Sequence, residues 1–463
     1  MKAGNSEVKL KRKQNYARKL VQVLLAITGG FLFIATFSNF SIFDESLDPE
    51  ILEKFNLNVM PAEKENAYFA IWGLESAKGK NIIESGVAIE SYYSSKLSNG
   101  FSKNTSDSKY VKIMGGILLD TDWSEKIDYC TSRKELKCTN KLSEQLINKP
   151  IMTQRLKLML SRYQELTNMS EFQSSNEKNM VSRLPPYGNL MKLRRINLAK
   201  IFQMEDADDF ILALKKDMQF WRMLLEKGDS LIDKMIAIAS LWGDIQALSS
   251  YISKHPDITD IELSKFLNLL TPLTPNQLDI GNSFLYEQSA FINTLKTIDP
   301  ESLEMAFGLN AKPMFFLIQP NATINDYYQY FTKPVIELAK LSAPDFRNKI
   351  SETVNGEKIC CFKEMDNLAN PYISNFYNLG GKLLLSATYF QAHGYISRVH
   401  DLNGMFSLAR LKLELVSSEN LKNIIENSKE KQPYNLQPMD YDSNKNTISF
   451  ECLNKGALCK IAL

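Results

Sequence analysis

Apolar positions follow two regimes along the chain. Residues 20–37, LVQVLLAITGGFLFIATF, carry no charge, and only Gln22 and two threonines interrupt them. A run of this length sits at the lower edge of what spans a hydrocarbon core of about 30 Å. It extends through Ser38 to Phe43 without meeting a charge. Downstream the apolar residues are periodic instead, recurring three and four positions apart as amphipathic helices require. The pattern predicts a helix from Pro61 through Leu74, interrupted at Gly73, and a second over 81–95. Residues 97–108 are rich in Ser, Asn and Lys and read as a loop. Residues 141–167 are helical with a break at Pro150, and Met191–Met204 is helical with Arg194 and Arg195 on its polar side. The strongest block runs from Asp208 to Lys254. Gly228 closes one helix there and Asp229 caps a longer one, so the two should form an antiparallel hairpin.

Shorter helices are expected over Asp260–Leu270 and from Pro275 to Ile298. Another should start at a Thr323 cap, with Pro334 bending it. A further one should run from Pro371 toward His393, and one more from Leu408 to Leu421. Pro433, Pro438 and the alternation in NTISFECL predict a turn-rich tail with a short hairpin. The expected fold is mostly α: an irregular multi-helix body with helical hairpins and a small β or turn-rich tail, preceded by one transmembrane helix. Its divisions are a basic arm (1–19), an anchor (20–43), a linker (44–60), a helical body (61–432) and the tail (433–463).

Charge distribution orients the anchor. Over the whole 463 residues the formal charge is only +2, which gives no bulk bias toward nucleic acid. The arm, however, holds Lys2, Lys9, Lys11, Arg12, Lys13, Arg18 and Lys19 against Glu7. Lys and Arg beside a span resist translocation, so the N-terminus is expected in the cytoplasm and the body outside the inner membrane. A cleaved signal peptide shares this layout, but Phe37 occupies a position where cleavage needs a small residue.

An exported body meets an oxidising compartment. Cys130 with Cys138, and Cys452 with Cys459, each close a short polar loop and are expected to pair locally. Cys360 and Cys361 are adjacent and their pairing stays open. No C-x-x-C occurs, so neither a structural zinc site nor a dithiol redox centre is expected. No cofactor or metal is predicted.

Candidate chemistry is sparse. Asp229, Asp233, Lys234 and Asp244 lie on the hydrophobic helix at 229–252. They read as a polar pocket between helices or as an interhelical salt bridge. His393 and His400 are seven apart, with Asp401 adjacent, and share a face only if Gly394 leaves the helix intact. They offer an acid–base pair; His255 suits a helix end. No nucleophile elbow, phosphate loop or zinc-protease motif is present. Gly380-Gly381-Lys382 lacks the glycine loop a phosphate site needs, and the aromatics at 327–331 read as core.

Several pieces resemble a group of uncharacterised bacterial proteins with one N-terminal span and a helical exported body. They are Asn66–Ala70 with Gly73; Phe220-Trp221-Arg222 with Leu231–Met235; Gln319–Thr323 with Asn325; Asn370-Pro371; and Pro438-Met439 with Tyr441-Asp442. The resemblance implies a single-span protein with a body of one unit, and no activity. The expected function is that of a membrane-anchored, non-enzymatic envelope protein. Its partners would be the membrane, through residues 20–43, and another envelope protein. The alternatives are an envelope hydrolase using His393/His400 or Asp229–Asp244, and a helical module for lipid or peptide.

Overall fold

The computed structural model describes residues 4–55, 65–98, 127–148, 152–174, 182–297, 315–352, 377–388, 392–416, 418 and 420–463. In chain order the helices are α1 (Gly4–Phe37), α2 (Pro49–Phe55), α3 (Ala67–Gly73), α4 (Ile82–Ser98), α5 (Cys138–Asn148), α6 (Gln154–Leu166), α7 (Tyr187–Ile201), α8 (Ala207–Lys227) and α9 (Leu231–Lys254). They continue with α10 (Asp260–Leu269), α11 (Pro275–Leu278), α12 (Gly281–Thr297), α13 (Pro320–Tyr327), α14 (Lys333–Ala339), α15 (Ala343–Glu352), α16 (Leu379–Thr388), α17 (Ala392–Leu415) and α18 (Leu421–Asn427). A π-helical turn over Tyr328–Thr332 precedes Pro334. The tail holds an antiparallel sheet of order β1 (Asp440–Asp442), β2 (Thr447–Ser449), β3 (Lys460–Ala462). Tyr441 faces Ile448, and Ile448 faces Ile461. The mostly α expectation holds, and the tail carries one strand more than a hairpin.

The chain divides into two compact units. The first comprises Met1–Asn56, Thr294–Phe331 and Cys361–Phe390. In it α13 packs on α16. The cap of α13 is not Thr323, which lies inside the helix and donates to the Gln319 carbonyl at 2.7 Å. Asp44 caps it instead, accepting from the backbone N–H groups of Asn321 and Ala322, each at 3.0 Å. A carboxylate there satisfies two free donors and opposes the positive end of the helix dipole. Asp48 continues the attachment: its N–H donates to Asn325 and its carboxylate accepts from Gln329. The segment after residue 43, expected as a linker, is therefore fastened to α13 as far as α2. Asn378, at a left-handed φ of 54°, donates its backbone N–H to Asn39. Its side-chain oxygen accepts from Gln319 and Thr323. Asparagine tolerates that backbone because its short polar side chain bonds locally.

Helix α1 ends at Phe37, and a 3-10 turn over Ser41–Phe43 follows. The helix therefore stops short of the expected boundary at 43. Among the described residues no helix is long and apolar enough to cross a membrane. The side chains at 31, 32, 34 and 35 lie outside that description.

The second unit comprises Leu57–Asn293, Thr332–Cys360 and Gln391–Leu463. Its centre is α9, which packs against α5, α7, α8, α17 and β3. Polar residues Asp233, Lys234, Ser240, Asp244, Gln246 and Ser249 are buried along with its apolar ones, so it lacks the solvated face of an ordinary amphipathic helix. Its cap is Ser230, in a capping box with Asp233, and not Asp229. The expected hairpin with α8 forms. Helix α17 runs alongside α9 in the same direction: Arg398 meets Met235, and fourteen residues on Lys412 meets Ser249. Gly394 does not interrupt α17. The helix expected from Pro275 to Ile298 divides into α11 and α12, because Asp279 leaves the helical conformation and its side chain accepts from the Gly281 N–H. Arg194, assigned to a polar side, is buried.

Asn66 caps α3, accepting from the Tyr68 N–H at 3.1 Å, so that helix begins at Ala67. Pro61 lies outside the described residues. Gly73 is the last residue of α3, and close contact is what requires glycine there. A Cβ there would lie 1.8 Å from the Ile82 carbonyl, and one on Gly86 would lie 1.7 Å from the Phe69 carbonyl. The α3–α4 crossing is backbone on backbone. Gly86→Ala should therefore cost at least the 1–3 kcal/mol of an overpacked core, and thermal melts by circular dichroism will read it; an unchanged midpoint contradicts the crossing.

Candidate functional site

The predicted polar residues of α9 do not converge. Asp229, just before the helix, accepts from the Ser174 N–H at 3.1 Å and hydroxyl at 2.7 Å. Asp233 closes the capping box, accepting from the Ser230 N–H and hydroxyl, and takes the Tyr187 hydroxyl as well. Burial pushes the Asp233 carboxyl up, against those hydrogen bonds. Lys234 folds back on α8 and donates to the Leu225 and Glu226 carbonyls at 2.5 and 3.1 Å. It fills the C-terminal acceptors of one helix from the first turn of the next, and burial lowers its proton affinity.

Asp244 lies about three turns further along and belongs to a different cluster. Arg194 of α7 reaches it, and also donates to the Ser240 carbonyl at 2.5 Å. The Arg194 Nε lies 3.4 Å from Asp217 of α8. Asp217 accepts from the Tyr163 hydroxyl of α6 at 2.6 Å and from the Trp221 indole at 3.1 Å. All these groups are buried. Burial raises the Asp244 carboxyl well above the usual range, and neighbouring Asp217 adds to it against the pull of Arg194. Arg194 is held protonated by the two carboxyls despite its burial. Two buried acids around one base leave the cluster short of one positive charge, which is the like-charge situation that pushes the Asp244 carboxyl up. Gly243 leaves the necessary room, since a Cβ there would lie 2.4 Å from the Arg194 guanidinium. The pattern along α7 suggests a solvated Arg194, and nothing along α6 or α8 taken singly marks Tyr163 or Asp217 as its neighbours.

His393 and His400 both lie on the unbroken α17 with Asp401. Asp401 accepts from the Tyr434 hydroxyl at 2.6 Å and from the backbone N–H groups of Leu453 and Asn454 at 3.1 and 3.0 Å. Those bonds tie the C-terminal disulfide loop to α17. His400 packs against the Phe346 ring at 5.2 Å, and burial lowers its pKa to about 4. His393 is lowered by burial in the same way. The Gly380 N–H of the Gly-Gly-Lys stretch is used by the Leu317 carbonyl.

Cys130–Cys138 and Cys452–Cys459 are disulfides, with Cα–Cα separations of 5.5 and 5.6 Å. Cys360 and Cys361 lie outside the described residues. The two disulfide loops meet, the Leu458 N–H donating to the Arg133 carbonyl at 2.8 Å. Asp401 lies with Cys452 and Cys459 as a grouping of metal-ligand type. The sulfurs are bonded to each other, so they supply no thiolate. A depression of about 220 Å³ beside this loop is lined by Phe450, Cys452, Asn454, Leu458 and Lys460. Nearby, Lys412 places its buried ammonium among four oxygens: the Ser249 carbonyl and hydroxyl, the Ser253 hydroxyl and the Ala462 carbonyl. Burial lowers its pKa to about 7. Its partners lie on α9 and β3, so no pattern along α17 itself marks the residue.

No family model, curated protein or solved structure matches the chain.

Removing one partner from the Arg194 cluster strands buried charge. Arg194→Met should cost about 3–5 kcal/mol, because it leaves Asp217 and Asp244 buried without their cation. Urea unfolding will read the loss; an unchanged midpoint contradicts the cluster's role. A second test is acid stability. Unfolded His400 takes a proton near its ordinary 6.5, while the folded residue resists until about 4. Protons therefore favour unfolding between those values, and stability should fall by roughly 2–3 kcal/mol as pH drops from 6.5 to 4. His400→Leu should remove that component from the pH profile of unfolding; an unchanged acid slope contradicts it.

Proposed function

We propose that the chain is a single-span membrane protein whose helical body acts by binding other proteins of the envelope. The observation that carries the anchor is the surface of α1. Leu20, Val21, Val23, Leu24, Leu25 and Ile27 are 54–66% exposed, and Phe33 and Phe37 are 70% and 50% exposed. At about 100° per residue these eight positions encircle the helix rather than mark one face. An apolar surface on nearly every side suits lipid, broken only by the narrow line of Gln22, Gly29 and Thr36. The helix has 34 residues, hence a length of about 50 Å, with its basic half preceding the apolar half. That order supports a cytoplasmic N-terminus and a body on the far side.

A binding role draws support from where the charged groups sit. Asp229, Asp233, Lys234, Asp244 and Asp401 all have internal partners that hold helices and loops in place. A body built this way is a rigid scaffold presenting its outer surface. Nothing in the placement of His393 and His400 favours the hydrolase reading over it.

Alkaline carbonate should leave the full-length chain in the membrane pellet and release a chain starting at residue 44. Recovery of the full-length chain in the supernatant defeats the anchor. Crosslinking in intact membranes should give a discrete heteromeric adduct; a chain that stays monomeric under saturating crosslinker defeats the binding role.

A further inference from the structure

The first compact unit carries a second apolar surface, beyond the helix itself. Phe40, Ile42 and Phe43 follow α1 and are 51%, 81% and 43% exposed; Phe316 is 73% exposed. Large apolar side chains exposed together are costly in water and mark contact with something apolar. Phe43 itself, and the residues next to Phe40 and Phe316, are bonded to one segment, 377–380. The Tyr377 hydroxyl donates to the Phe43 carbonyl at 3.0 Å. The Asn378 N–H donates to Asn39 at 2.8 Å, and the Gly380 N–H donates to the Leu317 carbonyl at 2.8 Å. Phe316 is thus held within one residue of a bond to the segment that also binds Asn39 and Phe43.

The surface is continuous with that of α1. The Phe37 ring lies 5.9 Å from Phe33, 5.9 Å from Phe40 and 5.4 Å from Phe43, so one aromatic chain runs from the helix into the unit. The nearby acids are engaged by protein donors: both Asp44 oxygens by the α13 N-terminus, one Asp48 oxygen by Gln329, and the exposed Glu45 by the Asn325 amide at 3.3 Å. Aromatic and aliphatic side chains next to a phenol, at the end of an apolar helix, match the composition of a membrane–water boundary.

We propose that Phe40, Ile42, Phe43 and Phe316 seat the first compact unit in the headgroup–acyl boundary of the bilayer that α1 enters. The occupant is lipid. This rests on the anchor reading, and the test keeps the two apart. The full-length chain is reconstituted in vesicles of phosphatidylethanolamine and phosphatidylglycerol, with photoreactive benzoylphenylalanine replacing Ile42, Phe316 or, as a reference within α1, Val23. Flotation reads the anchor and mass spectrometry of the adducts reads the surface. Positions 42 and 316 should yield phospholipid adducts comparable in amount to position 23. Flotation with lipid adducts at 23 alone overturns the seated surface and leaves the anchor standing. Protein adducts or self-dimers at 42 and 316 overturn it in favour of a protein partner. Failure to float overturns both.

Discussion

The guanidinium of Arg194 is the constraint on which the second unit turns. A cation with 2% exposure cannot persist without compensation, and its compensation comes from three other helices. Asp217 arrives from α8, Asp244 and the Ser240 carbonyl from α9, and Tyr163 of α6 completes the Asp217 bonding. Each must sit within ion-pair or hydrogen-bonding reach, so the cluster fixes where four helices stand along one another as well as how near they approach. Apolar packing alone tolerates a slipped register more readily than a buried ion cluster does. Gly243 belongs to the same constraint. It is the position on α9 where a side chain would meet the guanidinium.

Around that centre, the structure secures its periphery through buried cations directed at carbonyls. Lys234 closes the end of α8, and Arg162 donates to the carbonyls of Leu74, Ser76 and Ala77. Lys412 gathers Ser249, Ser253 and the last strand. A long cationic side chain spans gaps between elements and brings several donors to one place. The cost is desolvation, and it appears as the lowered proton affinities of Arg162, Lys234 and Lys412.

What the sequence made legible was local. The helical stripes of α6, α8 and α9, the turn at Gly228 and both disulfides involve residues fewer than about ten positions apart or a simple period. The features that escaped depend on distant partners. Arg194 occupies a position that looks solvated until Asp217 and Asp244 are placed beside it. Gly73 looks like a helix breaker until Gly86 is brought against α3. Thr323 has the chemistry of a cap, but Asp44, far away in sequence, performs the capping. Asp229 is the cap that the sequence suggests, but Ser230 takes the role because Asp233 lies three residues on to complete the box. The candidate site failed to assemble for a related reason. Spacing along one helix shows which side chains share a stripe, but not which neighbouring helix claims each of them.

The segment between α1 and α2 also has its partners far away in sequence. A stretch with Asp, Glu, Ser and Pro reads as a tether, because nothing nearby in sequence can bind it. Its partner is the free N-terminus of α13, whose N–H groups would otherwise be left for water. Asp44 and Asp48 therefore turn a nominal tether into a bracket, and Asn39 extends the bracket to the last turn of α1. A helix joined to its unit by a bracket transmits its orientation, as a free tether would not. If α1 stands in lipid, the depth at which it stops also sets the depth of Phe40, Ile42 and Phe43. The exposed aromatics are then a consequence of how the chain leaves its helix: a rigid exit brings the adjoining surface to the boundary, and an apolar surface is the one that boundary tolerates.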